Sequence, residues 1–200
     1  MNNINKTGII ILAAGSSSRL GQPKQLLSYQ DKSLLENTIE AAKVAANNVV
    51  VVILGGNYEP VAGHIENSGI RTIYNSSWEE GISSSIRIGL SGLTQEYDDL
   101  DAVVLAVCDQ PFMTAGLLQS LIDTANNSGK GIVASSYANT LGTPVLFTAK
   151  HFDDLIALKG QDGAKMLLAK YQDEVVSVPF KNGEIDIDTP EDYNKLISEQ

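Results

Sequence analysis

The chain has 200 residues, of which 24 are Asp or Glu and 14 are Lys or Arg, leaving a formal net charge of -10. Neutralising a nucleic-acid backbone takes a clustered Lys and Arg surplus, so this balance argues against a nucleic-acid partner. A small anion remains admissible, because a few cations and backbone N–H groups in one cleft outweigh the average field locally. At 43% hydrophobic and 19% charged, the composition is that of an ordinary globular protein. A chain of this length buries roughly 70% of its unfolded surface and needs no disulfide or metal staple.

The lone Cys108 has no internal partner for a disulfide, and the polar start MNNINKTG lacks the apolar core of an export signal. The longest apolar runs fall far short of the ~18–20 residues that cross a bilayer. These features set the expectation of a soluble, cytoplasmic protein with no membrane partner.

Three apolar runs, Gly8 to Leu12, Val49 to Leu54 and Ala102 to Val107, lack polar alternation, as strands buried on both faces of a parallel sheet do. Between the first two, Ser33 and Glu36 form a capping-box pattern that opens a helix to Ala46, with Leu35, Ile39, Ala42 and Ala46 at helical spacing. The alternation continues with a helix near Glu59 to Asn67, a strand at Ile70 to Tyr74 and a helix from Gly81 to Leu93. A further helix, Ala115 to Asn127, follows the third apolar strand, and then a strand at Gly131 to Ser135.

Beyond Ser135 the texture turns toward α+β. Strands are expected at Gly142 to Thr148 and Glu174 to Val178, a helix at Gly163 to Lys170, and a last helix capped by Thr189 with Pro190 at its first position. The pattern predicts an α/β fold: a mostly parallel sheet with helices on both faces. No linker or repeat divides it, so residues 1–200 read as one domain. Its nucleotide-binding core runs to about residue 135, and a region that builds the acceptor side and completes the metal site follows from about 136 to 200.

Ligands of open α/β sheets bind beyond the carboxyl ends of the strands, where the loop Ala13-Ala14-Gly15-Ser16-Ser17-Ser18-Arg19-Leu20-Gly21-Gln22-Pro23-Lys24 lies. Small residues let backbone N–H groups approach a phosphate, and Arg19 and Lys24 oppose its charge. The glycine spacing fits neither a Walker A loop nor the Rossmann dinucleotide fingerprint, which argues against a nicotinamide enzyme. Asp109 follows the third apolar strand and suits either a helix cap or a Mg²⁺ ligand. Asp186 and Asp188 face one side if their segment is extended, where one carboxylate could join Asp109 at a metal; otherwise Asp188 helps to start the last helix.

His64 and His151 have no spaced ligand or triad partners and read as surface or helix-lining residues. Cys108, inside an apolar strand, reads as packing rather than nucleophile. No Gly-x-Ser-x-Gly elbow occurs.

The run Leu12 to Leu27 resembles the signature loop of the MobA-like nucleotidyltransferases. The resemblance continues through Asn75-x-x-Trp78-x-x-Gly81-x-x-x-Ser85, Cys108-Asp109-Gln110-Pro111, Gly142 to Phe147, Gly160-x-Asp162-Gly163-Ala164-Lys165 and Asp186 to Asp192. Six motifs in the same order cover nearly the whole chain, and within the family they are most similar to the molybdenum cofactor cytidylyltransferases.

The resemblance implies a Rossmann-like fold of the nucleotide-diphospho-sugar transferase type. It also implies transfer of a nucleoside monophosphate from an NTP to a phosphate, with pyrophosphate released. Leu12, Ala13, Ala14, Gly15, Ser16, Ser17, Ser18, Arg19, Lys24, Asn75, Ser85 and Asp109 would bind the nucleotide. Arg19, Lys24 and Asp109 would be catalytic, and Asp109 and Asp188 would hold Mg²⁺. Ala13-Ala14-Gly15 and Ser85 resemble cytidylyl versions of their motifs, which leans the donor toward CTP.

Thr143, Asp162 and Lys165 are the candidate acceptor contacts. Thr143 stands where many relatives acting on molybdopterin carry His or Asn. Three readings follow: a cytidylyltransferase for molybdopterin or molybdenum cofactor, with a molybdoenzyme as transient partner; a nucleotidyltransferase for a sugar or polyol phosphate; or a non-catalytic nucleotide-binding maturation factor. Retention of both cations and both metal carboxylates favours catalysis.

Overall fold

The computed structural model describes residues 4–47 and 49–198. The first three residues of the polar start lie outside that range, as do the last two of the chain. Chain order is β1 (Thr7–Ala13), β2 (Ser28–Tyr29), β3 (Lys32–Ser33), α1 (Leu34–Ala45), β4 (Val50–Leu54), α2 (Tyr58–His64), β5 (Arg71–Tyr74) and α3 (Ile82–Glu96). There follow β6 (Ala102–Val107), α4 (Ala115–Ser128), β7 (Ile132–Tyr137), β8 (Thr140–Thr148), α5 (Phe152–Ala157), α6 (Ala164–Lys170), β9 (Val175–Pro179) and α7 (Pro190–Ser198). Among the described residues no helix is long and apolar enough to cross a membrane.

Seven strands form one sheet in the order β5-β4-β1-β6-β8-β7-β9. β5, β4, β1 and β6 run parallel, with Ile9 opposite both Val50 and Val104. β8 alone is reversed, pairing antiparallel with β6 and β7, while β9 is parallel to β7. The expected α/β architecture is the observed one.

Both faces of the central strands are buried, as the unbroken apolar runs require. Ile9, Ile11 and Ala13 of β1 face the layer of α1, α2 and α4; Ile10 and Leu12 face α3, α5 and α6. Helix α1 begins where its capping box predicts. Ser33 Oγ accepts the Glu36 N–H at 3.1 Å, and the Glu36 carboxylate accepts the Ser33 N–H at 2.8 Å. The helix buries Leu35, Ile39 and Ala42 against the sheet, each large side chain contributing about 1.5–3 kcal/mol.

A third, smaller apolar cluster joins Leu20, Leu27, Tyr29 and Leu34 to Ile187 and Leu196. It pins the C-terminal segment to the loop that follows β1, and so sets two distant stretches of sequence side by side at the carboxyl rim of the sheet.

His151 departs from expectation. It is 1% exposed, under Gly131, and its ring lies 4.8 Å from that of Tyr171. Burial pushes its pKa down, opposed by Glu174. His64 is half-exposed and bonds Glu36 at 3.0 Å. Cys108 is buried, its thiol pushed up to about 12 by burial and by Asp109, so it stays neutral and serves packing, as expected.

Candidate active site

The loop after β1 is tied down through its carbonyl groups. Gln25, 1% exposed, donates from Nε2 to Ala13 O at 2.8 Å and Gly15 O at 3.1 Å; the Gly56 N–H donates to Ala14 O at 3.0 Å. Ser17 adopts φ 56°, its carbonyl accepts from Leu20 and Gly21, and its hydroxyl accepts the Lys24 N–H at 3.1 Å. The N–H groups of Gly15, Ser16, Ser17, Ser18 and Arg19 donate to no protein acceptor among the described residues. A loop with carbonyls turned inward and successive N–H groups left open is an anion cradle.

The cradle needs Gly55, which follows β4. A Cβ there would stand 2.6 Å from Ala14 O and 2.7 Å from Trp78 Cβ, closer than real contacts allow. Only glycine lets the two loops approach this closely.

Beside the cradle four charged side chains converge. Lys24 Nζ lies 2.5 Å from Asp109 Oδ2 and 2.8 Å from Asp188 Oδ1, and Arg19 reaches Asp188 Oδ2 at 2.7 Å. Asp109 is placed by the end of β6. Asp188 is brought to it by the Ile187 N–H, which donates to Asp109 O at 2.9 Å, and by Gln110 Nε2, which donates to Gly183 O at 2.8 Å. Ile187 is fully buried, so Asp186 and Asp188 turn together toward the rim, as alternation predicted. Thr189 and Asp192 then cap α7 and lead the chain away.

Burial alone would lower the Lys24 pKa, but Asp109 and Asp188 overcome it and hold the ammonium above its ordinary value. Burial works to raise Asp188, and Lys24 and Arg19 pull it below the usual carboxylate range. Asp186 makes no ion pair among the described residues. Partial desolvation, then the carboxylates of Asp109 and Asp188, push it up to about 6.

Two carboxylates aimed at one ammonium also suit one hard divalent ion once Lys24 turns to a phosphate. No group of three or more metal-ligating side chains occurs among the described residues, so phosphate and water would complete the shell, as Mg²⁺ prefers.

A cleft of about 340 Å³ extends from this cluster and is lined by Leu12, Ala14, Gly15, Ser16, Lys24, Ser85 and Asp109, all expected nucleotide contacts. Arg19 lies at the exposed edge. Asn75 does not line the cleft; it is 2% exposed and bonds Ser84 and Ser85 from behind. Thr143 sits in β8 beside Tyr137, and Lys165, on α6, is near enough to Asp186 for its charge to favour the ionised carboxylate.

Trp78, Glu79, Gly81 and Gln161 also line the cleft and were not singled out as contacts from sequence. Gly81, at φ 112°, touches Gly160 so closely that a Cβ would stand 2.3 Å from its oxygen, and this contact brings Gln161 over the cleft. The adjacent glycines Gly55-Gly56 directly after a buried strand were the available signal for Trp78, whose ring packs on both.

A family model described as MobA-like NTP transferase domain matches residues 9–175. The chain belongs to this family. The MobA-like fold and family make it a nucleotidyltransferase, an enzyme of the transferase class. Molybdenum cofactor cytidylyltransferase of Escherichia coli (strain K12) is 25% identical over 92% of each chain. Nicotine blue oxidoreductase of Paenarthrobacter nicotinovorans is 24% identical over 94% of this chain and 95% of its own.

The crystal structure of Rv0371c from Mycobacterium tuberculosis H37Rv is 29% identical, covers 99% of this chain and 100% of its own, and superposes with a TM-score of 0.83. A manganese complex of Rv0371c, at 26% identity, covers 98% of this chain and 100% of its own with a TM-score of 0.79.

Proposed function

We propose that this MobA-like enzyme transfers CMP from CTP to the phosphate of molybdopterin or molybdenum cofactor and releases pyrophosphate, with Mg²⁺ as cofactor. The observation that carries this reading is the Lys24–Asp109–Asp188 cluster beside a loop of unengaged N–H groups. The likeness to molybdenum cofactor cytidylyltransferase supports the acceptor. Ala14 and Ser85 at the inner cleft support CTP: Ala narrows the space for a purine, and Ser85 supplies a hydroxyl.

The loop N–H groups and Arg19 bind the triphosphate. Lys24 leaves the two carboxylates and moves to the α-phosphate, where negative charge spreads in the transition state. An oxygen of the acceptor phosphate attacks the α-phosphorus in line, a new P–O bond forms, and the bond to the bridging oxygen breaks. Pyrophosphate leaves with that electron pair. No protein nucleophile is needed, in keeping with the buried neutral Cys108. Mg²⁺ bound at Asp109 and Asp188 would neutralise triphosphate charge. Thr143, Asp162 and Lys165 contact the acceptor, and the product passes to a molybdoenzyme.

The second reading keeps this chemistry and changes the acceptor to a sugar or polyol phosphate, favoured by Thr143 at the acceptor wall. Pyrophosphate release measured over a panel of four NTPs against molybdopterin, molybdenum cofactor and sugar phosphates decides between them. The expected result is turnover with CTP and a pterin acceptor. Faster turnover with GTP sinks the base assignment, and turnover only with sugar phosphates sinks the acceptor. Nucleotide binding without turnover would make the chain a maturation factor. A parallel redox assay tests the activity named for the Paenarthrobacter relative.

A further inference from the structure

Asn75 follows β5, where its N–H donates to Leu54 O at 2.8 Å, and its side chain is shut behind the cleft. The neighbours dictate which way its amide faces. Oδ1 accepts the Ser77 N–H at 3.0 Å, and turning the amide over would set donor against donor. Nδ2 therefore points at α3 and donates to Ser84 Oγ at 2.8 Å and Ser85 Oγ at 3.0 Å. Ser84 passes its own proton on to Gly81 O at 2.8 Å. Ser85 passes its proton to no acceptor among the described residues, although it is only 4% exposed and lines the cleft. A serine hydroxyl ordinarily donates or accepts as its surroundings demand. Here the oxygen is engaged from behind, and the cleft is the outlet for the O–H.

We propose that Asn75 fixes Ser85 as a hydrogen-bond donor toward the cleft, and that this polarity selects a nucleobase presenting a lone pair at that point. Cytosine has one at ring N3, whereas uracil has an N–H there. The inference rests on the nucleotide reading above and makes Asn75 a positioning residue that acts through Ser85. It also supplies a reason for a buried asparagine behind the cleft wall.

Asn75→Asp reverses the polarity without changing the side chain's shape. Its carboxylate still accepts from Ser77, and it now also accepts from the serine hydroxyls, so Ser85 turns a lone pair to the cleft. The chain's single tryptophan, Trp78, lines the same cleft, so its fluorescence reports CTP and UTP binding with Mg²⁺ present and no acceptor added. The wild type should bind CTP about tenfold more tightly than UTP, because a mismatched base leaves a buried donor facing an N–H. Asn75→Asp should bring that ratio to one or invert it, while Ser85→Ala and Asn75→Ala should bring it near one without inversion.

A folded Asn75→Asp protein that keeps the wild-type ratio overturns the proposal. Should the buried carboxylate prevent folding, an unchanged ratio in Asn75→Ala or Ser85→Ala overturns it equally. Equal wild-type affinity for CTP and UTP defeats the inference and leaves nucleotidyl transfer standing. A wild type that binds no nucleotide defeats both.

Discussion

On the proposed nucleotide side of the cleft several polar side chains are tied down: Gln25 grips the backbone carbonyls of Ala13 and Gly15, Asn75 grips Ser84 and Ser85, and Lys24 is held between Asp109 and Asp188. The candidate acceptor contacts are more loosely held. The side chains of Asp162 and Lys165 make no hydrogen bond or ion pair among the described residues, and Thr143 lies beside Tyr137. The difference follows from what each side must do. On the proposed chemistry, a triphosphate calls for a cradle and base wall set before the reaction begins, with Lys24 turning from its carboxylates to the phosphate, whereas an acceptor wall need only match a shape.

Lys24→Ala tests that contrast most severely. Loss of the ammonium should lower kcat about 10²–10³-fold with a smaller change in KM, as for a group acting mainly in the transition state. It also leaves Asp109 and Asp188 facing each other with no cation between them. The variant should therefore melt below the wild type in EDTA and regain part of the loss in millimolar Mg²⁺. An effect confined to KM would move Lys24 to ground-state binding, and insensitivity of the melting temperature to Mg²⁺ would remove the two carboxylates from the metal site.

Asp109→Ala should rank next, losing about 10²-fold in turnover with Mg²⁺-dependent nucleotide binding weakened. The fold should survive, since Lys24 keeps Asp188 and a rim carboxylate adds little to the core. Wild-type turnover in this variant would take Asp109 out of the mechanism. On the other wall, Lys165→Ala should raise the acceptor KM several-fold and leave the KM for CTP unchanged. If Lys165→Ala instead matches the kcat loss of Lys24→Ala, the two sides are built alike and the contrast fails.

Much of the rigid side was legible in the sequence because its signals are local. The unbroken apolar runs, the Ser33 and Glu36 capping box and the Thr189-Pro190 start act within a few residues, and each element lies within a few residues of its expected place. Strand direction is not a local property. The reversal at β8 rests on a hairpin through Ala138 and Asn139, both at positive φ, and β2–β3 turns in the same way through Gln30 and Asp31. Neither pair is the Asn-Gly or Asp-Gly that marks such a turn.

The six-residue α5 is too short for a period to show. Gln25 and Asn75 work by donating to groups far from them in structure type, which no spacing reveals, and His151 was misplaced because nothing in its neighbours marks the layer of α5 and Tyr171 that covers it.

The smallest expected effect separates Asp186 from the two carboxylates beside it. Desolvation and the charges of Asp109 and Asp188 push its pKa from the ordinary 3.8 up to about 6, so the folded state favours the protonated form. The stability this adds is fully present below pH 3.8 and is lost as the pH rises through about 6, above which an ionised Asp186 opposes folding. Asp186→Asn removes that opposition. Its melting temperature should match the wild type near pH 4, rise above it between pH 4 and 6, and stay above it to pH 8.

More than a third of the residue faces solvent. Discounted for screening, the gain is about 1 kcal/mol or less, roughly 2–4 °C. Mg²⁺ at pH 7.5 should shrink the difference, since a cation between Asp109 and Asp188 offsets the repulsion that creates it. A melting difference flat from pH 4 to 8 would mean that the three carboxylates do not share one field, and that the C-terminal segment approaches the rim less closely than the Ile187 to Asp109 bond requires.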